Sequence, residues 1–172
     1  MSDLMKHMRE FPVMQFGSST PSGYREVIPV RVVHAVPRPH DWEPCDYAIG
    51  LTVEALDRTQ SYPLLAGDAA FSLIDAAGVR KTEDLKGTNM YAITRRDDDG
   101  RRLMRLTFHL SPEDRSAVQA YLEENSRSYM DYAEALEEDG AMDAALLVFG
   151  VAERFASRLM ALSAQNEPDR KL

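Results

Sequence analysis

Apolar residues recur at every second position in several segments of the chain, and this alternation predicts β-strands. Residues 26–36 are rich in β-branched side chains, and residues 46–56 alternate in the same way. The segments 89–96 and 101–110 flank the sequence DDDG at residues 97–100, which is typical of a hairpin turn. The pattern therefore predicts a set of antiparallel strands.

Residues 67–78 fit two structures. Asp68 suits the N-cap of a helix and Gly78 its C-terminal end, which favours a short helix. Phe71 and Leu73, with turns on both sides, also permit a strand. Both alternatives stay open at this point.

From Ser111 onward the apolar spacing lengthens to three or four residues, which predicts helices. Ser111 is a good N-cap, and Pro112 suits the first helical position. The pattern predicts a helix from Pro112 to about residue 139, a turn at Gly140 and a second helix over residues 141–162. The first half of this second helix is apolar almost all round, so another surface must cover it.

These elements predict an α+β protein, in which an antiparallel β-sheet or small β-barrel is followed by a C-terminal helical hairpin. At 172 residues the chain is long enough to bury one sizeable core. We expect a flexible N-terminal segment (residues 1–24), a β-rich domain (25–110), a helical arm (111–163) and a tail (164–172).

The first predicted helix carries a seam in which spacings of four and three residues alternate, close to the repeat of about 3.5 residues in coiled coils. Its members are Val118, Leu122, Asn125, Tyr129, Tyr132 and Leu136. A single polar member such as Asn125 fixes the register in coiled coils. Two interpretations are open. The hairpin packs on the sheet of its own chain, or it makes the chain a homo-oligomer, either a dimer or a tetramer.

The distribution of charge bears on the kind of partner. The formal net charge is −8, and residues 111–164 hold 11 acidic and 4 basic residues. An acidic helical surface repels phosphate backbones, so we do not expect nucleic acid as a partner. The longest apolar run, residues 144–152, is too short to span a bilayer, and we expect no membrane association. Cys45 is the only cysteine, which suits the cytoplasm.

The strongest candidate site is a cluster of arginines around the predicted hairpin turn. Arg95 is expected to face Arg102 and Arg96 to face Arg101 across the strands, with Arg105 further along. Like charges directly opposed destabilise a sheet by up to about 1 kcal/mol per pair. Either the turn aspartates neutralise the cluster, or it binds an anion or an acidic protein. The acidic arm of a neighbouring subunit is one such anion.

The sequence indicates no catalytic chemistry. The four histidines share no ligand spacing, and the loop with His40 and Cys45 is expected to be merely polar, so we predict neither a metal nor a cofactor. A nucleophile elbow and a glycine-rich phosphate cradle are both absent from the sequence. We therefore expect that the chain is not an enzyme.

The segment from the last predicted strand into the helix resembles a known family. Phe108 and Leu110 end the strand, and the sequence SPED at residues 111–114 caps the helix. This is similar to the closing segment of PilZ domains, and the preceding hairpin extends the resemblance over about residues 89–124. Membership would imply a small β-barrel with a C-terminal helix.

PilZ domains that bind cyclic di-GMP carry an Arg-x-x-x-Arg box before the first strand and an Asp/Asn-x-Ser-x-x-Gly motif in the barrel. Here Pro29 stands four positions after Arg25, and the second motif is absent from the sequence. The resemblance therefore implies a member that binds proteins in place of the nucleotide.

Together these inferences predict a non-enzymatic cytoplasmic regulatory adaptor that acts through protein–protein interaction. One alternative is a small acidic secretion-type chaperone, which would keep an unfolded segment soluble. Another is an acidic inhibitor or immunity protein of a basic enzyme, whose affinity would fall steeply with salt.

Overall fold

Six antiparallel strands form one open sheet in the structure, a computed structural model that describes residues 24–38, 47–97 and 100–165. The strands are β1 (Tyr24–Arg38), β2 (Ala48–Ala55), β3 (Gln60–Ser61), β4 (Leu64–Ala66), β5 (Asn89–Asp97) and β6 (Gly100–Thr107). The strand order is β3-β2-β1-β5-β6, and β4 also pairs with β2. Of the two predicted forms, the open sheet is therefore the one observed, and β6 lies at its edge.

The long strand β1 pairs with different neighbours along its two halves. Its first half pairs with β5 as far as Arg31, and its second half pairs with β2 from Val30 onward. Pro29 pairs with Tyr91 on β5 and precedes the first pair with β2. A residue without a backbone N–H is tolerated there, because the strand has a neighbour on one side only at this position.

Within the described residues, three α-helices and a 3₁₀ turn accompany the sheet. They are α1 (Asp68–Ala77), the 3₁₀ turn (Thr82–Leu85), α2 (Pro112–Glu138) and α3 (Met142–Ala164). Residues 67–78 are thus helical, and Gly78 ends α1 in the left-handed conformation with φ 65°. The expectation that Asp68 caps this helix is wrong. Gly67 is the N-cap, Asp68 is the first helical residue, and the N-terminus has no side-chain cap.

The two faces of the sheet contact different helices. Ile28, Val30 and Val32 of β1 belong to a buried cluster with α1 and the 3₁₀ turn. Val27, their neighbour in the sequence, belongs to a second cluster with Ile93 of β5 and the apolar residues of α2 and α3. Successive strand residues point to opposite faces, so β1 contributes to both cores. The helical hairpin packs on the face that carries Val27.

A register shift interrupts the pairing of β5 with β6. Ile93 pairs with Arg105, whereas Thr94 pairs with Leu103, so Met104 has no partner on β5. Leu103 and Leu106 consequently lie on the same face. Strict alternation along the sequence would predict that these two residues lie on opposite faces, but a bulge changes the alternation by one residue.

Candidate functional site

The first turn of α2 begins at the capped junction that the sequence predicts. The Ser111 hydroxyl oxygen accepts a hydrogen bond from the Asp114 backbone N–H at 3.0 Å, and Pro112 follows the cap. Glu113 and Asp114 place two carboxylates in this turn, where the helix dipole favours negative charge. The prediction of a Ser111 cap is confirmed.

The Asp114 carboxylate joins α2 to two strands of the sheet. Its side chain is 1% exposed, and it accepts hydrogen bonds from Arg25 of β1 and, at 3.4 Å, from Arg105 of β6. Arg25 also lies 3.6 Å from the carboxylate of Glu113. A buried carboxylate is tolerated when charged donors pair with it, so these two arginines are what permits Asp114 to be buried.

The backbone register brings several arginines into one row. Arg95 of β5 pairs with Arg25 on one side and with Arg102 on the other, and Arg96 pairs with Arg101. The predicted register of this hairpin is therefore confirmed. Arg95 is exposed, and the side chains of Arg96, Arg101 and Arg102 lie outside the described part of the chain, as do Asp98 and Asp99 of the turn.

We call the exposed cations Arg25, Arg95 and Arg105 the arginine surface. Residues paired across antiparallel strands share a face, so all three lie on the face of the sheet that carries α2 and α3. Arg25 and Arg105 remain 40% and 59% exposed although they contact Asp114. No carboxylate among the described residues pairs with Arg95. Asp114 thus neutralises only part of the charge.

Sequence reasoning did not assign Arg25 and Asp114 to this site. An acidic residue in a first turn is commonplace, and Arg25 lies far from the hairpin in the sequence. Only the pairing of β1 with β5 brings them together. The signal that could have placed Arg25 is its spacing from Val27. Residues two apart in a strand share a face, and Val27 packs against α2.

The predicted seam is occupied within the chain over most of its length. Val118 and Leu122 belong to the core beneath α2 and α3, and Tyr129 stacks on Phe155 of α3 at 5.5 Å. The Asn125 amide, 3% exposed, donates to the Tyr121 carbonyl of its own helix.

Tyr132 and Leu136, further along the seam, are half-buried. The contacts of the seam agree with the interpretation that the hairpin packs on the sheet of its own chain. A homo-oligomer stays a prediction.

The Tyr129 hydroxyl connects the hairpin to the sheet. It donates a hydrogen bond to Asp57, which follows β2, at 3.2 Å. Burial, reinforced by the charge of Asp57 and by this hydrogen bond, raises the pKa of Tyr129 above its usual value. Burial also raises the pKa of Tyr132. Both phenols consequently stay neutral at physiological pH.

A cavity of about 220 Å³ opens on the α1-bearing face of the sheet. Ile28, Ala92 and Leu103 form part of its apolar lining, and Thr94 lies among them. The Thr94 side-chain oxygen is buried and has no hydrogen-bond partner among the residues that the structure describes. Such an atom costs free energy, so its position in a cavity lining marks a place where a polar group of a ligand would be favoured.

Within residues 24–38, 47–97 and 100–165, no three histidine, cysteine, aspartate or glutamate side chains cluster as metal ligands would. The loop with His40 and Cys45 lies outside these ranges.

In the described part of the chain, every helix is too short or too polar to cross a membrane.

Comparison with known proteins returned no relatives. The chain matches no protein-family model, no curated protein and no solved structure.

Proposed function

We propose that the chain is a non-enzymatic cytoplasmic regulatory adaptor, and that the arginine surface binds an acidic segment of a partner protein. The observation that carries this proposal is the incomplete neutralisation of Arg25, Arg95 and Arg105, which share one face around a single buried carboxylate. Arginine is enriched at protein interfaces because its planar guanidinium group pairs with carboxylates through two hydrogen bonds.

The position of the arginine surface at the edge of the sheet favours an extended partner. β6 ends the strand order, and no other described strand pairs with its outer side. An unpaired edge accepts a further strand through backbone hydrogen bonds. Arg105 lies on one face of β6. Leu103 lies on the other face, where it lines the same cavity as Thr94. A segment that alternates acidic and apolar residues complements both faces.

We also propose that the junction between β6 and α2 is related to PilZ domains that have lost nucleotide binding, and that the chain forms a homo-oligomer. The Ser111 cap at the start of α2 supports the first proposal. β6 ends at Thr107, so the expectation that Phe108 and Leu110 end this strand is wrong. The exposed apolar residues Met142, Leu146 and Leu147 near the turn between α2 and α3 support the second.

The test is a pull-down from native lysate, read by mass spectrometry. The wild-type chain is compared with a variant in which Arg95, Arg96, Arg101 and Arg102 are all changed to Glu. Arg25 and Arg105 are left intact because they hold Asp114. We expect a folded partner with an acidic segment to be captured by the wild type and lost in the variant.

A matched control reverses the same number of charges elsewhere. Arg80, Lys81, Lys86 and Arg127 are exposed and lie outside the arginine surface, so changing them to Glu alters the net charge equally. This control is expected to retain the partner. Equal loss in both variants, with both folded by circular dichroism, would contradict a site on the hairpin.

A secretion-type chaperone is the second candidate function. The apolar cavity beside Thr94 favours it, because a chaperone must cover apolar side chains of an unfolded client. The discriminating assay measures light scattering while a reduced, aggregation-prone protein unfolds. A chaperone lowers the scattering when present in equal amount, whereas an adaptor leaves it unchanged.

A further inference from the structure

A second group of arginines surrounds a cavity of about 180 Å³ between the sheet and α3. Its lining includes Arg31 of β1, Arg58 from the turn after β2, and Arg154 and Arg158 of α3. Glu54 is the only carboxylate in the lining, and it pairs with Arg58 at 2.8 Å. Four arginines and a single carboxylate therefore line this one cavity.

Two of these arginines are held in place by neutral groups. The Arg154 Nε donates to the Leu56 carbonyl at 2.8 Å, and the Arg158 Nη2 donates to the Tyr91 hydroxyl at 3.2 Å. Arg158 also lies over the Tyr91 ring, 5.7 Å from its centre. These contacts fix the positions of the two cations through a carbonyl and a phenol, neither of which carries a negative charge.

The backbone at Arg58 gives an independent indication. Its φ is 70°, and it is the only non-glycine residue with positive φ in the described part of the chain. Glycine or asparagine is the usual residue in this conformation, because a larger side chain is strained there. Strained residues of this kind cluster at functional sites. A binding role for the guanidinium group would explain why an arginine occupies this position.

We propose that this cavity binds a phosphate monoester with a compact apolar body. The arginines supply charge-assisted donors for an oxyanion with more than one negative charge. Pro29, Ala55 and Leu56 add an apolar part to the lining, which suits the organic group of the ester. This site is separate from the arginine surface, since none of its four arginines belongs to that surface.

The experiment titrates the full chain with phenyl phosphate by isothermal calorimetry. Inorganic phosphate and phenyl sulfate are the comparison ligands, because the first lacks the apolar body and the second carries only one negative charge. We expect phenyl phosphate to bind about tenfold more tightly than either. Equal affinity for inorganic phosphate would overturn the proposed apolar contribution, and equal affinity for phenyl sulfate would overturn the proposed role of charge.

Two variants place the binding in the cavity. Arg58→Gly removes a guanidinium group and relieves the strained backbone, so it should weaken binding about tenfold while the melting temperature stays the same or rises. Arg31→Gln should weaken binding similarly, and Arg80→Gln, an exposed arginine outside the cavity, should not. Absence of any binding to the wild type, or equal binding by Arg58→Gly and the wild type, would overturn the proposal.

Discussion

At the scale of single residues, Asp114 is a buried carboxylate that two arginines hold. It is buried in the first turn of α2, and it joins that helix to β1 and β6 through Arg25 and Arg105. Both arginines are partly exposed, so solvent screens them and the pairs are weaker than fully buried ones. The carboxylate itself has no access to water, and its role is therefore to fix the helix relative to the strands.

Replacing this carboxylate should lower stability measurably. We expect Asp114→Ala to reduce the free energy of unfolding by about 2 kcal/mol, because two charged hydrogen bonds are lost. Glu113→Ala is the matched control. Its side chain is 82% exposed, and its loss should change stability by less than about 0.5 kcal/mol. Urea unfolding followed by circular dichroism compares them, and similar effects of both changes would disprove the role of burial.

Thr94 gives a prediction of the opposite sign. Its hydroxyl group is buried and forms no hydrogen bond within the described part of the chain, so Thr94→Val should raise the free energy of unfolding by about 1 kcal/mol. The control is Thr107→Val, because the Thr107 hydroxyl donates to the His109 carbonyl and accepts from its N–H. That change should lower stability. Destabilisation by Thr94→Val would show that a ligand, a water molecule or a protein group satisfies the hydroxyl.

At the scale of elements, α2 has two kinds of contact along its length. Near its start Asp114 and Val118 hold it to the sheet, and further along Tyr129 contacts both α3 and Asp57. The seam that the sequence shows is therefore the line along which this helix meets the rest of the chain. Apolar residues spaced alternately three and four apart occur both in helices that pack on their own chain and in coiled coils. Spacing alone therefore does not distinguish the two.

The Tyr129 phenol makes this contact sensitive to alkaline pH. Its pKa is raised in the folded chain, so the neutral form is favoured there, and ionisation from about pH 10 upward favours unfolding. Stability is thus fully present below the ordinary tyrosine pKa and is lost as pH rises above it. We expect Tyr129→Phe to be about 1 kcal/mol less stable at neutral pH.

Tyr129→Phe should also reduce the loss of unfolding free energy that accompanies alkaline pH. Urea unfolding at about pH 8 and about pH 10.5 measures this loss for the wild type and the variant. Tyr132→Phe is the comparison, because its pKa is raised by burial alone and it should remove a smaller part of the decrease. An identical alkaline decrease in the wild type and in Tyr129→Phe would refute the assignment.

Local patterns predicted the main elements because their determinants lie close together in the sequence. Alternation marked the long strands, and Ser111-Pro112 marked the start of α2. The strands β3 and β4 were missed because two or three residues cannot show a period. The partners of Asp114 and the arginines around the cavity were missed for a different reason, since only the tertiary fold joins those distant segments.

At the scale of the whole molecule, the arginine surface and the exposed apolar residues Leu146 and Leu147 lie near different ends of the helical hairpin. The arginine surface lies where β1, β5 and β6 meet the start of α2, and much of the acidic charge follows along α2. The exposed apolar residues Leu146 and Leu147 lie near the opposite end of the hairpin. A homo-oligomer that covers these residues leaves the arginine surface available to another partner.

Light scattering tests the proposed oligomer. The wild type should have a mass that is a multiple of 19.4 kDa, and the double variant Leu146→Gln with Leu147→Gln should approach the mass of one chain. Leu64→Gln, on β4 at the other side of the sheet, is the control and should leave the mass unchanged. A monomeric wild type at high concentration would rule out a homo-oligomer.

The divided pairing of β1 has a consequence for the time course of folding. Two pairings, β1 with β2 and β5 with β6, join strands that follow each other in the sequence. The pairing of β1 with β5 instead closes a long loop that contains β2 and α1. Such non-local pairings form slowly because loop closure costs entropy before contacts compensate it. Arg25 comes from β1, and Arg95 from β5. We therefore expect the arginine surface to be assembled only at this late step, so that no partly folded chain presents it to a partner.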